Sequence, residues 1–157
     1  MAVRIRKVTL WRTEVVHRPG ALADVLDPLA AEGADLEVVM GYRLPGQRGR
    51  AVVEVAPIGS RRLAHTAAEA GLSPAEAPTL LVHGDNRPGL ANRIARALAA
   101  SGVNIAFLVA QVVGRRYSAV FGFESEADLD KAAERIRAAV TARVPDRRRV
   151  ARTRPRS

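Results

Sequence analysis

The sequence predicts an α+β fold made of two βαββαβ units, each an antiparallel sheet with its helices packed on one face. Three observations predict it. The chain repeats itself: His17-Arg18-Pro19-Gly20 returns as Asn86-Arg87-Pro88-Gly89, 69 positions later. Val25, Leu29, Ala30, Ala31 and Gly33 are answered at the same offset by Ile94, Leu98, Ala99, Ala100 and Gly102, and a repeat of this length is a domain rather than a turn of a solenoid. Each copy also alternates between the periodicities of strand and helix in the same order. Finally, 157 residues with 48% apolar content suit one ordinary domain or two small ones, and the repeat selects two.

The elements follow in order. Lys7 to Val16 is rich in β-branched residues and ends at Pro-Gly, which reads as a strand. Pro19 suits the first turn of a helix, where its missing N–H has no intrahelical partner. Ala21, Leu22, Val25, Leu26 and Leu29 make a helical stripe, closed by Gly33. Pro28 falls inside that helix and is expected to bend it or weaken its hydrogen bonding. Leu36 to Leu44 and Ala51 to Ala56 form a hairpin around Pro45-Gly46, and Ser60 to Ala70 a second helix closed by Gly71. The second copy runs as strand Thr79 to His83, helix Pro88 to Ser101, strands Val103 to Val113 and Tyr117 to Phe123, and helix Glu126 to Val140.

This is the split βαβ or ferredoxin-like arrangement, whose last strand is weakly written in both copies. Thr79 to His83 has room to end the first unit as well as begin the second, and after Val140 only Val144 and Val150 hint at a strand. The expected boundaries are 5–72, 77–142, and a basic tail without fixed structure at 143–157. Units this small bury a limited share of their surface, so a homodimer or higher oligomer is expected.

Composition excludes several functions. There is no cysteine, hence no disulfide, thiol nucleophile or cysteine metal site. No segment reaches the length of apolar residues that spans a membrane, and the N-terminus lacks a signal-like apolar run, so a cytoplasmic protein is expected. The net charge of +9 is mostly the tail, where seven arginines stand against Asp146 between 143 and 157. The preceding part is nearly balanced.

The loop before the second unit's first helix suggests a ligand site. A glycine at a helix start lets a ligand approach the backbone, and the unpaired N–H groups of the first turn attract a carboxylate. Asn86 offers a donor and an acceptor beside that turn. Asn104, 18 residues on, begins the next strand and lies beside the first strand's end in this topology.

With its Asn-Arg-Pro-Gly loop, apolar helix, Gly102-Val103-Asn104-Ile105 and duplication, about nine-tenths of the chain resembles the ACT-domain family of small regulatory modules that bind amino acids. The resemblance implies ligand contacts at Asn86 and Asn104, within a candidate site of Asp85, Asn86, Arg87, Gly89, Leu90, Asn104 and Ile105. The first unit keeps the spacing with His17 and Asp35, so that a second candidate site comprises His17, Gly20, Ala21 and Asp35. Asp35 favours an ammonium and repels a carboxylate, which makes the second unit the better site. The implied function is a stand-alone, non-enzymatic sensor that binds an amino acid at a unit or subunit interface and needs no cofactor.

No nucleophile–base pair, phosphate loop or His-Glu-x-x-His array is present. His83 and Asp85 lack a third metal ligand at suitable spacing, so no metal is expected. The competing class is RNA or DNA binding through the sheet and the Arg-rich tail. Against it stands an aromatic content of 4%. Tyr117, Phe121 and Phe123 alternate on one strand and share a face, which suits base stacking or a core equally.

Overall fold

The structure is a computed structural model and describes residues 3–142. The expected tail and its Val144 and Val150 lie outside the described residues. In chain order the elements are β1 (Arg4–Val8), β2 (Trp11–Val16), α1 (Ala21–Ala31), β3 (Val38–Arg43), β4 (Arg50–Ala56), α2 (Arg61–Glu69) and β5 (Ser73–Pro74). The second half supplies β6 (Thr79–Asp85), α3 (Leu90–Ala100), β7 (Phe107–Val113), β8 (Arg116–Gly122) and α4 (Glu126–Thr141). They build two four-stranded antiparallel sheets, β3-β4-β2-β5 and β7-β8-β6-β1, in an α+β fold of two ferredoxin-like units.

The two sheets have the same strand order but fill their last place differently. In the first unit that place is taken by the two-residue β5, paired with β2. In the second it is taken by β1 from the N-terminus, paired with β6 from Arg4↔His83 to Val8↔Thr79. The single strand expected over residues 7–16 is therefore two strands in different sheets. Residues 5–8, expected within the first unit, belong to the second sheet, and β6 serves that sheet alone. The break falls at Leu10, which is 1% exposed in the seam between the sheets. Its carbonyl accepts the Ala75 N–H at 2.7 Å. Burial of this side chain and the fixing of its carbonyl outweigh the continuity of one long strand.

The Arg-Pro-Gly repeats build one backbone device twice. The Ala21 N–H bonds to the Arg18 carbonyl at 3.2 Å and the Leu90 N–H to the Arg87 carbonyl at 3.1 Å. Gly20 has φ 88° and ψ −14°, and Gly89 has φ 79° and ψ 4°. These are type II turns, with proline at the second position and a glycine with positive φ at the third. Pro19 and Pro88 thus precede the helices instead of opening them, and the glycines are the N-caps. Ser60 and Ser125 cap α2 and α4 by side-chain oxygen, accepting from the N–H groups of Leu63 and Asp128 at 3.1 Å. Pro28 sits within α1, which continues to Ala31.

Each unit has its own core between sheet and helices. Val25, Leu29, Val53, Val55, Ala67 and Leu72 fill the first. Leu80, Val82, Ile94, Leu98, Phe121, Phe123, Leu129 and Ile136 are central to the larger second core. The opposite faces of the sheets meet through Leu10, Val38, Ala56, Leu81 and Val120. Glu54 is buried at this seam, and its charge is met by the Tyr42 hydroxyl, which donates at 3.1 Å, and by Arg12 Nε at 4.0 Å. Arg6 of β1 pairs with Glu37, which carries an ion pair from the second sheet to the first unit.

Candidate functional site

The start of α3 leans over β7, and between them lies a cavity of about 250 Å³. Asn86 stands in its lining with Leu90, Ile94, Ile105, Leu108, Val112 and Tyr117. Space exists here because the facing positions are small: Ala91 and Ala95 on the helix, Ala110 and Ala119 on the strands. The repeat makes the reason visible. The positions of Ala91 and Ala95 correspond in α1 to Leu22 and Leu26, 69 residues earlier. Leu26 packs against the first core, so the side chains that leave room in one unit are bulky in the other.

Polar groups gather at the loop end. The Asn86 N–H is bound to the Arg115 carbonyl at 2.8 Å, which holds the loop while the Asn86 side chain stays exposed. Helix α3 has no side-chain cap at Gly89, so its first-turn N–H groups remain suited to an anionic acceptor. Beside this end, Asp85, Asn86, Arg87, Arg115 and Arg116 line a second recess of about 520 Å³. There Arg116 lies 3.8 Å from the Asp85 carboxylate.

Tyr117, which the sequence marks only as one of three alternating aromatics, enters the same cavity wall. It is 7% exposed, and its hydroxyl is buried without a hydrogen-bond partner among the described residues. Burial pushes its phenol above the ordinary tyrosine range, against the opposing field of Arg87, so it stays a donor. Its ring lies over Gly84, where an added Cβ would stand 2.8 Å from Cε1 and 2.9 Å from the hydroxyl oxygen. Phe121 and Phe123 are buried too and stack with centroids 6.3 Å apart. The aromatic row is therefore core and offers no face for base stacking.

The candidate residues are distributed unevenly. Asn86, Leu90 and Ile105 line the cavity, Asp85 and Arg87 line the neighbouring recess, and Gly89 forms the turn. Asn104 does not join Asn86 in the lining. Strand β7 begins only at Phe107, so Asn104 sits on the preceding loop, where its amide donates to Glu124 Oε1 at 3.5 Å. In the first unit the His17 N–H bonds to the Gly49 carbonyl at 2.8 Å, Arg18 pairs with Asp24, Gly20 caps the helix, Ala21 is buried and Asp35 is exposed.

His83 lies across the second sheet, opposite Arg4 on β1. Burial first, then the positive Arg6, Arg116 and Arg4, hold its imidazole below the usual histidine value, against the pull of Glu37. With the folded value depressed, the unfolded chain binds the proton more readily. Stability then falls as the pH drops through the ordinary histidine value of about 6.5. Urea midpoints measured from neutral to mildly acidic pH should fall in that window, and His83→Gln should flatten that part of the profile. An unchanged slope in the variant would remove His83 from the account.

Residues 78–141 match the family model of the ACT domain. That match covers the second unit, and the first unit repeats its sequence pattern and strand order, so both units are ACT-like in fold. Among solved structures it resembles a protein from Bacteroides thetaiotaomicron, with 16% identity and a TM-score of 0.68, covering 84% of this chain and 88% of that one. It also resembles the ligand-free regulatory subunit of aspartate kinase from Thermus thermophilus, with 16% identity, a TM-score of 0.55, and 85% and 96% coverage. The corresponding subunit from Thermus flavus gives 17%, 0.56, and 89% and 97%. At these identities the likeness is one of fold. No curated protein matches by sequence. Among the described residues, no helix is long and apolar enough to cross a membrane, and no group of three or more His, Cys, Asp or Glu is placed to hold a metal.

Proposed function

We propose that this protein is a non-catalytic, cytoplasmic regulator that binds an amino acid in the cavity of its second unit. The observation that carries the reading is the cavity itself, which opens at Asn86 and the uncapped start of α3 where Ala91 and Ala95 replace bulky leucines. An amino-acid carboxylate suits the first-turn N–H groups and the Asn86 amide. Ile105 and Leu90 are further contacts, and Asp85, Arg87 and Gly89 shape the entrance, while Asn104 lies outside the cavity lining. For the first unit, with Leu22 and Leu26 in the corresponding places, the proposed role is packing and transmission, in preference to binding at His17, Gly20, Ala21 and Asp35. The ACT family match and the fold shared with regulatory subunits of aspartate kinase support the regulatory reading.

The site is completed by a second copy of the chain. Strand β7 is a sheet edge whose Leu108, Val109, Val112 and Val113 are exposed, and Leu108 and Val112 also line the cavity. An unpaired apolar edge is a template for another strand, and a homodimer along it would cover both edge and cavity mouth. A ligand at that junction changes the relative stability of two packing arrangements, and the downstream protein reads the difference.

Thermal-shift measurements against the twenty amino acids test the proposal. At least one should raise the melting temperature with concentration as mass action requires. Asn86→Ala should weaken that shift, and Ala95→Leu, which gives α3 the residue found in α1, should abolish it without unfolding the chain. If no amino acid stabilises the protein, the reading is wrong, and if Ala95→Leu binds as well as the original, the cavity is the wrong site.

A further inference from the structure

The buried carboxylate of Glu54 is a charge the fold itself does not require, and strand register shows it. Glu54 on β4 lies between Arg12 of β2 and Met40 of β3. The corresponding trio of the second sheet is Leu81, Val120 and Val109, with Val120 buried at the same seam. A valine therefore fills in one sheet the place that a glutamate holds in the other. Burying an ionised side chain costs free energy that hydrocarbon does not, and exchanging a buried ion pair for apolar residues often leaves stability unchanged or raises it.

Glu54 is also incompletely satisfied. It is 6% exposed, and its Oε2 accepts from the Tyr42 hydroxyl at 3.1 Å. Its Oε1 faces Arg12 Nε at 4.0 Å, beyond hydrogen-bond reach, while Arg12 Nη1 donates to Glu14 at 3.2 Å. An ionised carboxylate has about four acceptor positions, so Oε1 has room for a further donor.

Beside Glu54 a groove of about 690 Å³ opens between the two units. Tyr42 and Met40 of the first unit and Phe107 and Val109 of the second stand in its lining, and among the described residues Glu54 is the one charged group there. The groove is distinct from the cavity under α3, because Phe107 and Val109 point to the opposite face of β7 from Leu108 and Val112. The Phe107 ring lies over Gly122, its partner on β8, where any added Cβ would overlap it. Although the chain carries a net charge of +9, this lining is negative.

We propose that the groove is a second binding site, shared between the units, and that its ligand is a small organic cation with an ammonium group on an apolar stem. The ammonium donates to Glu54 Oε1, and the aromatic rings of Tyr42 and Phe107 favour a cation near their faces. The stem covers Met40 and Val109. An anion here meets only the carboxylate.

n-Butylamine, protonated at neutral pH, tests this against n-butanol and butyrate, which match its length without charge and with the opposite charge. In the full-length protein, the backbone amide resonances of Gly41, Tyr42, Phe107 and Val109 report occupancy. Butylamine should move them saturably and bind about tenfold more tightly than butanol, as for a hydrogen bond to a charged group, and butyrate should leave them in place. Glu54→Val, which copies the second sheet, should melt at the same temperature or higher and lose that tenfold advantage. Glu54→Gln, which keeps the side chain's shape, should lose it too. Phe107→Leu should weaken binding severalfold by removing the ring. If butylamine binds no better than butanol, if either Glu54 variant binds it as the original does, or if the moved resonances are those of Leu108 and Val112, the proposal is overturned. The amino-acid reading of the α3 cavity stands or falls separately, through Asn86 and Ala95.

Discussion

A chain lacking residues 1–8 is expected to lose the fold of its second unit while the first unit keeps its sheet. Strand β1 covers the outer side of β6 through five residue pairs, and Ile5 packs against the second core. Lys7 clamps the strand to α4 through Asp130 at 2.7 Å and Glu126 at 3.4 Å. Removing β1 leaves β6 as a raw edge and uncovers the rim of a core that includes the fully buried Val82. With each ladder hydrogen bond contributing roughly 1 kcal/mol net and Ile5 adding its buried area, the loss is about 3–5 kcal/mol. That is a large part of the roughly 5–15 kcal/mol that stabilises a small protein. Hydrogen exchange read by residue gives the answer: amides of β6 and β8 should lose protection, while those of β2 and β4 retain it. Loss confined to β2 and β4 would mean that the N-terminal strand serves the first sheet after all.

Phe123→Ala should cost about 3–5 kcal/mol, the usual range for truncating a buried phenylalanine. The side chain is 0% exposed, the largest fully buried one among the described residues, and packs with Phe121, Leu129 and Ile136 in the second core. Its neighbours cannot collapse readily into the space. The Phe123 N–H is held by the Pro78 carbonyl at 2.9 Å, and Phe121 is held in the cavity wall. The stacked Phe121 ring loses its support, so the cavity wall should loosen together with the core, and any ligand-induced rise in melting temperature should shrink with stability. Equilibrium urea unfolding measures the cost, and a change under about 1 kcal/mol would show that the core repacks around the void.

Much of this architecture is legible from local pattern. Helices α1 and α3 lie at equivalent positions of the repeat, because their apolar stripes, Arg-Pro-Gly entries and terminal glycines are short-range signals. The turn chemistry was legible in kind but not in position. Proline at the first helical residue and proline one place before a capping glycine look alike until the φ of Gly20 and Gly89 is known. The site was legible in part. Asn86 and Leu90, which the loop suggested, line the cavity, whereas the expected pairing of Asn86 with Asn104 assumed a strand starting at Val103, four residues before β7 begins. The signal that locates the cavity lay in the repeat's mismatches: Ala91 and Ala95 against Leu22 and Leu26. Tyr117 gave no such signal, since alternating aromatics suit an exposed stacking face and a core equally, and only packing buries them.

The four helices of the described residues and the two α+β units follow from short-range pattern and from the repeat at an offset of 69 residues. Which strand completes which sheet is a matter of long-range pairing. Residues 4–8 are a plausible edge for either unit, and the choice is made by the buried Leu10 between the sheets, by Ile5 on the second core and by Lys7 against α4. The same holds for the cavity. A void is the space that packed side chains from several elements fail to fill, so it exists only once α3, β7 and β8 have been brought together.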